Sequence, residues 1–250
     1  MLIEFAGCSG TGKTTLSKRV LAALVARGHH GVYSPNEVAR VTRTAWIQDL
    51  TLRNILITFV LLPWFICTLF KHLRFYGFAF RVICRDGAGI LDRVNRLRSI
   101  MRLLSCDLML RNRGTPTQLT LVDEGAVACA QNVFSFPHTR SSPNGAEVHR
   151  FARLVPAPDV LIHVNVPFDL AVERVRKRPD PPIRRGHEAD RFENFVSSAL
   201  AVSKTLAGAP EFDGRVLTVL NGDSSPESLC RLTDQIVDFI LDCGDLNVHR

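Results

Sequence analysis

Short apolar runs recur at 2–6, 31–34, 118–123, 160–166 and 215–220, and apolar residues return at helical spacing between them. After the first run, residues 15–27 place Leu16, Val20, Ala23 and Leu24 on one side of a helix. Strands alternating with helices predict an α/β fold, a parallel sheet covered on both faces, in one domain over 1–250. The spacing is uneven. The stretch 36–117 is far longer than one crossover helix needs and predicts a helical insertion between the second and third strands. A polar, proline-rich stretch at 178–190 reads as a closing flap, and 135–146 as a surface loop. No internal repeat or low-complexity tract is present.

One apolar run stands apart. Residues 54–70 are 17 without a charge, bounded by Arg53 and Lys71, with Pro63 near the middle. A helix of that length covers about 25 Å against a bilayer core of about 30 Å, and Pro63 would kink it, so a spanning helix is not expected. Two readings stay open: a buried helix of the insertion, or an element lying on a membrane surface. The second draws on the aromatics Phe75, Tyr76, Phe78 and Phe80 that follow, and on the basic stretch beside them. From 71 to 113 the chain carries ten basic residues against three acidic ones, which accounts for the entire net charge of +7. An anionic partner and a solvated helix face both explain that excess. A nucleic acid is a poor fit, because only the clustered Phe75, Tyr76, Phe78 and Phe80 could stack on bases. The seven cysteines are scattered without a C-x-x-C pair, which argues against a disulfide framework or a zinc site and for a reducing cytoplasm. The first strand already begins at residue 2, so no leader is expected.

The candidate chemistry begins where the first strand ends. Gly7-Cys8-Ser9-Gly10-Thr11-Gly12-Lys13-Thr14 reads G-x-x-x-x-G-K-T, a phosphate-binding loop, set between a strand and a helix as its mechanism requires. Gly7, Ser9, Gly10, Thr11, Gly12, Lys13, Thr14 and Thr15 are the candidate nucleotide contacts. Glycines let the backbone curl so that N–H groups converge on phosphate oxygens, and the helix N-terminus adds its positive end. Lys13 would reach the outer phosphates, and the Thr14 hydroxyl would coordinate Mg²⁺. The strand at 118–123 ends in Asp123-Glu124, which suits an acid that orients Mg²⁺ followed by a carboxylate able to act as base. Arg174 and Arg178, leading into the flap, could neutralise a transferring phosphoryl group when the flap closes.

Together these segments resemble the thymidylate kinase and deoxynucleoside kinase branch of the phosphate-loop kinases. The resemblance rests on the loop, on Tyr33-Ser34-Pro35-Asn36-Glu37, on Asp123-Glu124, and on Val164-Asn165-Val166-Pro167 with the basic run ending at Arg178. It covers 1–40 and 118–242 in outline and leaves out 41–117. It implies a P-loop three-layer sandwich with a five-stranded parallel sheet of order 2-3-1-4-5, ATP as donor and Mg²⁺ as cofactor. It further implies that Asn221-Gly222-Asp223 lies near the adenine, with Asp223 a nucleotide contact, and that Glu37 falls near the family's base on the acceptor hydroxyl. The chain departs from the family twice. Glu124 stands where an arginine is usual, and no Glu-Pro-Gly follows the second strand. The expectation is therefore an ATP-dependent kinase, with Glu37 or Glu124 as base, whose acceptor is a small molecule. The departures put the nucleotide-acceptor contacts in question, so a nucleotide, a sugar and a lipid-linked acceptor all stay open, the last with a peripheral contact through 54–85 at the inner face of a membrane. The alternative is a P-loop ATPase switch whose insertion binds a protein or membrane partner.

Overall fold

In the computed structural model the chain runs β1 (Leu2–Ala6), α1 (Lys13–Ala26), β2 (Gly31–Tyr33), α2 (Ser34–Val41), α3 (Leu50–Val60), α4 (Leu62–Lys71), α5 (Leu73–Arg85), α6 (Ile90–Arg113), β3 (Leu119–Val122), α7 (Cys129–Phe134), α8 (Gly145–Leu154), β4 (Val160–Asn165), α9 (Phe168–Arg176), α10 (Ala189–Ala207), β5 (Val216–Leu220) and α11 (Pro226–Val248). The structure describes every residue except 48, 114, 116, 117, 136–143, 179–188, 224, 249 and 250, and backbone alone at 50, 51, 54, 55, 189–191 and 245–248. Most of the expected flap and of the 135–146 loop therefore lies outside the described residues.

The strands form one sheet of order β2-β3-β1-β4-β5, parallel throughout. This is the order that the resemblance implies, and every strand lies within a residue of its expected ends. β1 sits centrally, with Ile3 opposite Leu121 on one side and Val160 on the other. On one face of the sheet Leu16, Val20 and Leu24 of α1 and Ile236, Val237 and Ile240 of α11 close over Ile3, Phe5 and Ile162. Removing each such side chain from water contributes about 1.5–3 kcal/mol. α5, α6, α7, α8 and α10 pack together in a second cluster that includes Ala6 and Leu161.

The helices between β2 and β3 fill the expected insertion, yet they share the main core instead of enclosing their own. Phe75 meets Phe151 at 5.4 Å between ring centroids, Phe151 meets Phe134 at 5.7 Å, and Phe78 meets Phe134 at 6.3 Å. Leu2 and Val122 of the sheet join Val38, Ile57, Leu61, Met109 and Leu110 in a further cluster. Three sequence readings change here. The 54–70 run is two helices and not one kinked helix: α3 ends at Val60, Leu61 forms the turn, and Pro63 falls in the first turn of α4, where its missing N–H costs nothing. Phe75, Tyr76 and Phe78 are buried, so of the four aromatics only Phe80 faces solvent. Arg96, counted with the surface cations, is 1% exposed. Its guanidinium pairs with Asp86 and donates to Asn132 O at 2.6 Å and Val133 O at 2.8 Å, holding the C-terminal end of α7.

Candidate active site at the carboxyl edge of the sheet

β1 delivers the chain into the loop at the edge where parallel α/β sheets place their ligands. Three glycines there have positive φ, Gly7 at 148°, Gly10 at 87° and Gly12 at 86°. None has room for a side chain. A Cβ would lie 2.4 Å from Val164 O at Gly7, 2.7 Å from Val175 Cγ2 at Gly10 and 2.5 Å from Asn221 Nδ2 at Gly12. The loop is thus moulded against β4, α9 and the end of β5. Thr11 is buried and donates its hydroxyl to Cys8 O at 2.9 Å. Ser9 lies in the turn, its carbonyl accepting the Cys8 thiol at 3.0 Å. Burial pushes that thiol up to about 11, so it stays protonated at neutral pH. Thr15 N–H and Leu16 N–H both turn onto Gly12 O, at 3.1 and 3.0 Å, so that the first turn of α1 opens toward the loop.

Lys13 Nζ folds into the loop, donating to Gly7 O at 2.8 Å and Cys8 O at 2.9 Å. Desolvation lowers its pKa; Arg178 pushes it the same way, while Glu124 and Asp123 pull it back up. The charges acting on Lys13 thus include those of Asp123, Glu124 and Arg178. Thr14 Oγ1 donates to Asp123 Oδ2 at 2.9 Å, and Tyr33 OH donates to the same oxygen at 2.5 Å. Burial, with the Asp123 bond behind it, raises the Tyr33 pKa, so the phenol remains a donor. A hydroxyl and a carboxylate this close, at the foot of the glycine loop, are the oxygen donors a Mg²⁺-nucleotide needs, and the residues fit that group. Arg174 sits beside Gly10 and donates to Asn221 O at 3.2 Å. Glu124 and Arg178 are exposed.

Two sequence candidates have close partners of their own. Both oxygens of Glu37 are taken by Arg40, at 2.5 and 2.9 Å, and that bond holds its carboxyl below the usual range. Asp223 accepts from Ser225 N at 2.8 Å and Ser225 Oγ at 2.6 Å, ordering the approach to α11.

Four contributors have roles here that the sequence did not assign to them. Tyr33 fixes Asp123. Gln131 donates to Gly7 O at 2.5 Å, and Asn221 Nδ2 donates to Thr11 O at 2.7 Å. Asn221 Oδ1 is buried with no partner among the described residues, leaving an open acceptor beside the loop. The fourth is Glu4, fully buried on β1, whose carboxylate accepts from Val127 N at 3.1 Å and Ala128 N at 2.8 Å. It lies against Gly125, where a Cβ would stand 2.5 Å from the carboxylate, and so positions the backbone that follows Asp123-Glu124. A charge inside the apolar run at 2–6 was the available signal, since buried carboxylates require donors.

Burial pushes the Glu4 carboxyl up to about 7, with the Val127 and Ala128 N–H groups opposing and Asp107 adding to the rise. Its folded-state value lies above its unfolded one, so the favourable contribution is complete below about pH 4.5 and is lost as pH rises to about 7. Relative to the non-titrating Glu4→Gln variant, the wild-type protein should lose about 3 kcal/mol of stability across that window. Urea midpoints of both proteins from pH 4.5 to 7.5 check this, and a pH-independent gap between them would show that Glu4 does not titrate there.

The sequence matches no family model and no curated protein. Among solved structures the chain is similar to shikimate kinase from Acinetobacter baumannii in complex with shikimate, at 15% identity and TM-score 0.43 over 96% of this chain and 93% of that one. It is similar to deoxyadenosine kinase from M. mycoides with bound dCTP, at 13% identity and TM-score 0.46 over 94% and 98%. It is also similar to thymidylate kinase from Candida albicans, at 12% identity and TM-score 0.48 over 96% and 91%. The parallel sheet of order β2-β3-β1-β4-β5 and the phosphate loop are features of the chain itself.

Proposed function

We propose that this protein is an ATP-dependent phosphotransferase acting on a small-molecule acceptor. The observation that carries the reading is the phosphate loop with Lys13 folded into it and Thr14 bonded to Asp123 at the carboxyl edge of the sheet. Backbone N–H groups of the loop bind the phosphates, and Lys13 exchanges its Gly7 and Cys8 carbonyls for the outer phosphate oxygens. Mg²⁺ held by Thr14 and Asp123 would supply charge neutralisation at the transferring group. Tyr33 keeps Asp123 aimed at that position. Arg174 and Arg178 add positive charge from α9 and its end, and Glu124 takes the proton of the acceptor hydroxyl. Glu124 suits that role better than Glu37, because it is exposed and follows Asp123 directly, while Glu37 is occupied by Arg40.

The test is transfer of the γ-phosphate of labelled ATP, with Mg²⁺, to pooled nucleosides, nucleoside monophosphates, sugars and lipid-linked sugars. A labelled product in one pool supports the reading. Phosphate released equally in every pool, the blank included, overturns it in favour of an ATPase. Glu124→Gln should lower transfer roughly 10²-fold with ATP binding retained; the same loss in Glu37→Gln instead would move the base to Glu37.

A further inference from the structure

The helices after β2 leave a large apolar surface in water. Leu52, Leu56, Phe59, Leu62, Ile66, Phe70 and Leu73 are all exposed, Phe59 by 69% and Phe70 by 78%. On α3 and again on α4 they fall three or four positions apart, so each helix carries an exposed apolar stripe, and Leu73 opens α5. The opposite side of the same helices is core, through Ile57, Leu61, Thr68 and Phe75. Trp46, 79% exposed, and Phe80, 55% exposed, add aromatic surface nearby. A patch of this kind marks a surface with a partner.

Its charge identifies the partner's chemistry. From 41 to 85 the chain has six basic residues, Arg43, Arg53, Lys71, Arg74, Arg81 and Arg85, against the single acid Asp49. Lys71 follows Phe70 directly. On α5, Leu73, Arg74, Gly77, Phe80 and Arg81 share the exposed face. Lys71, Arg74 and Arg81 form no ion pair among the described residues, whereas Arg85 is engaged by Glu147. A second copy of the chain would bring this surface against itself, like charge on like. An anionic phospholipid surface offers acyl carbon to the stripes and negative headgroups to the cations. Among the described residues no helix is long and apolar enough to cross a membrane, so the contact lies in the plane of the interface.

We infer that the exposed face of α3, α4 and α5 docks the protein on an anionic phospholipid membrane, with Phe59, Ile66 and Phe70 entering the headgroup boundary and Lys71, Arg74 and Arg81 on the phosphates. This inference does not depend on catalysis. The experiment is flotation of the full chain with vesicles of phosphatidylcholine containing phosphatidylglycerol, beside vesicles of phosphatidylcholine alone. The wild-type protein should float with the anionic vesicles only, and release in high salt. The triple variant Lys71→Glu, Arg74→Glu, Arg81→Glu should bind about a hundredfold more weakly. The triple variant Phe59→Ser, Ile66→Ser, Phe70→Ser should fall at least about tenfold. Both variants should keep wild-type circular dichroism and ATP binding, since all six side chains stand outside the core and the loop. Wild-type protein that stays unbound, or floats equally on neutral vesicles, or variants that float like it, overturn the inference. So does a dimer that the serine variant dissociates, which would give the face to a second copy.

Discussion

Lys13→Ala is expected to abolish phosphoryl transfer, by about 10³-fold or more, while melting within a few degrees of the wild-type protein. The large loss follows from position. Lys13 is the cation that the loop itself encloses, and no neighbouring side chain can replace a charge aimed at the outer phosphates from within. Arg174 and Arg178 come from α9 and its end, and Arg174 already donates to Asn221 O. The small stability change follows from two opposing terms. Truncation forfeits two hydrogen bonds to Gly7 O and Cys8 O, each worth about 1 kcal/mol net. It also removes an ammonium that the fold destabilises, since desolvation holds the Lys13 pKa below its ordinary value. The measurement is transfer rate and melting temperature on the same preparation. Normal turnover in this variant would remove the phosphate-loop mechanism altogether.

The second large effect is on stability. Arg96→Met should destabilise the protein by about 3–5 kcal/mol. Methionine fills much of the same volume, so the cost is electrostatic. Asp86 would keep a carboxylate that is 6% exposed with no cation against it, and the carbonyls of Asn132 and Val133 would lose their donors. α7 links the Asp123-Glu124 turn to the aromatic cluster, so the damage should reach the site through Gln131 and Gly7. Chemical denaturation measures the loss. Removing both charges, as Arg96→Met with Asp86→Leu, should recover part of it, because the unpaired buried acid is then absent. A double variant no better than the single one would place the cost in the lost carbonyl contacts and not in Asp86.

Much of the site was legible because it is local in sequence. The strand, the loop and α1 are contiguous, and positive φ at Gly10 and Gly12 is a requirement glycine advertises. Asp123 and Glu124 were legible as polar residues ending an apolar strand. Tyr33, Gln131 and Asn221 were not assigned, because each acts on a residue from another strand or helix. Tyr33 reaches Asp123 across the β2–β3 pairing, and Asn221 reaches Thr11 from the far edge of the sheet. The aromatics of α5 misled for a related reason. Phe75, Tyr76, Phe78 and Phe80 read as one patch in a linear string, but a helix turns Phe80 outward while its three neighbours face the core.

By itself, the sequence determined the parallel sheet, its five strands and the phosphate loop, since each depends on short-range periodicity and on backbone conformations that few residues adopt. Only the tertiary structure decided which carboxylates are available. Glu37 and Asp223 are satisfied locally, by Arg40 and Ser225, whereas Asp123 is bonded by Thr14 and Tyr33 from other elements and Glu124 is exposed. It also decided which apolar residues are core and which face water, because a hydrophobic run states only that carbon must leave water somewhere. In α3 and α4 the neighbouring helices cover one side of the run, and the exposed apolar residues from Leu52 to Leu73 are what they leave uncovered.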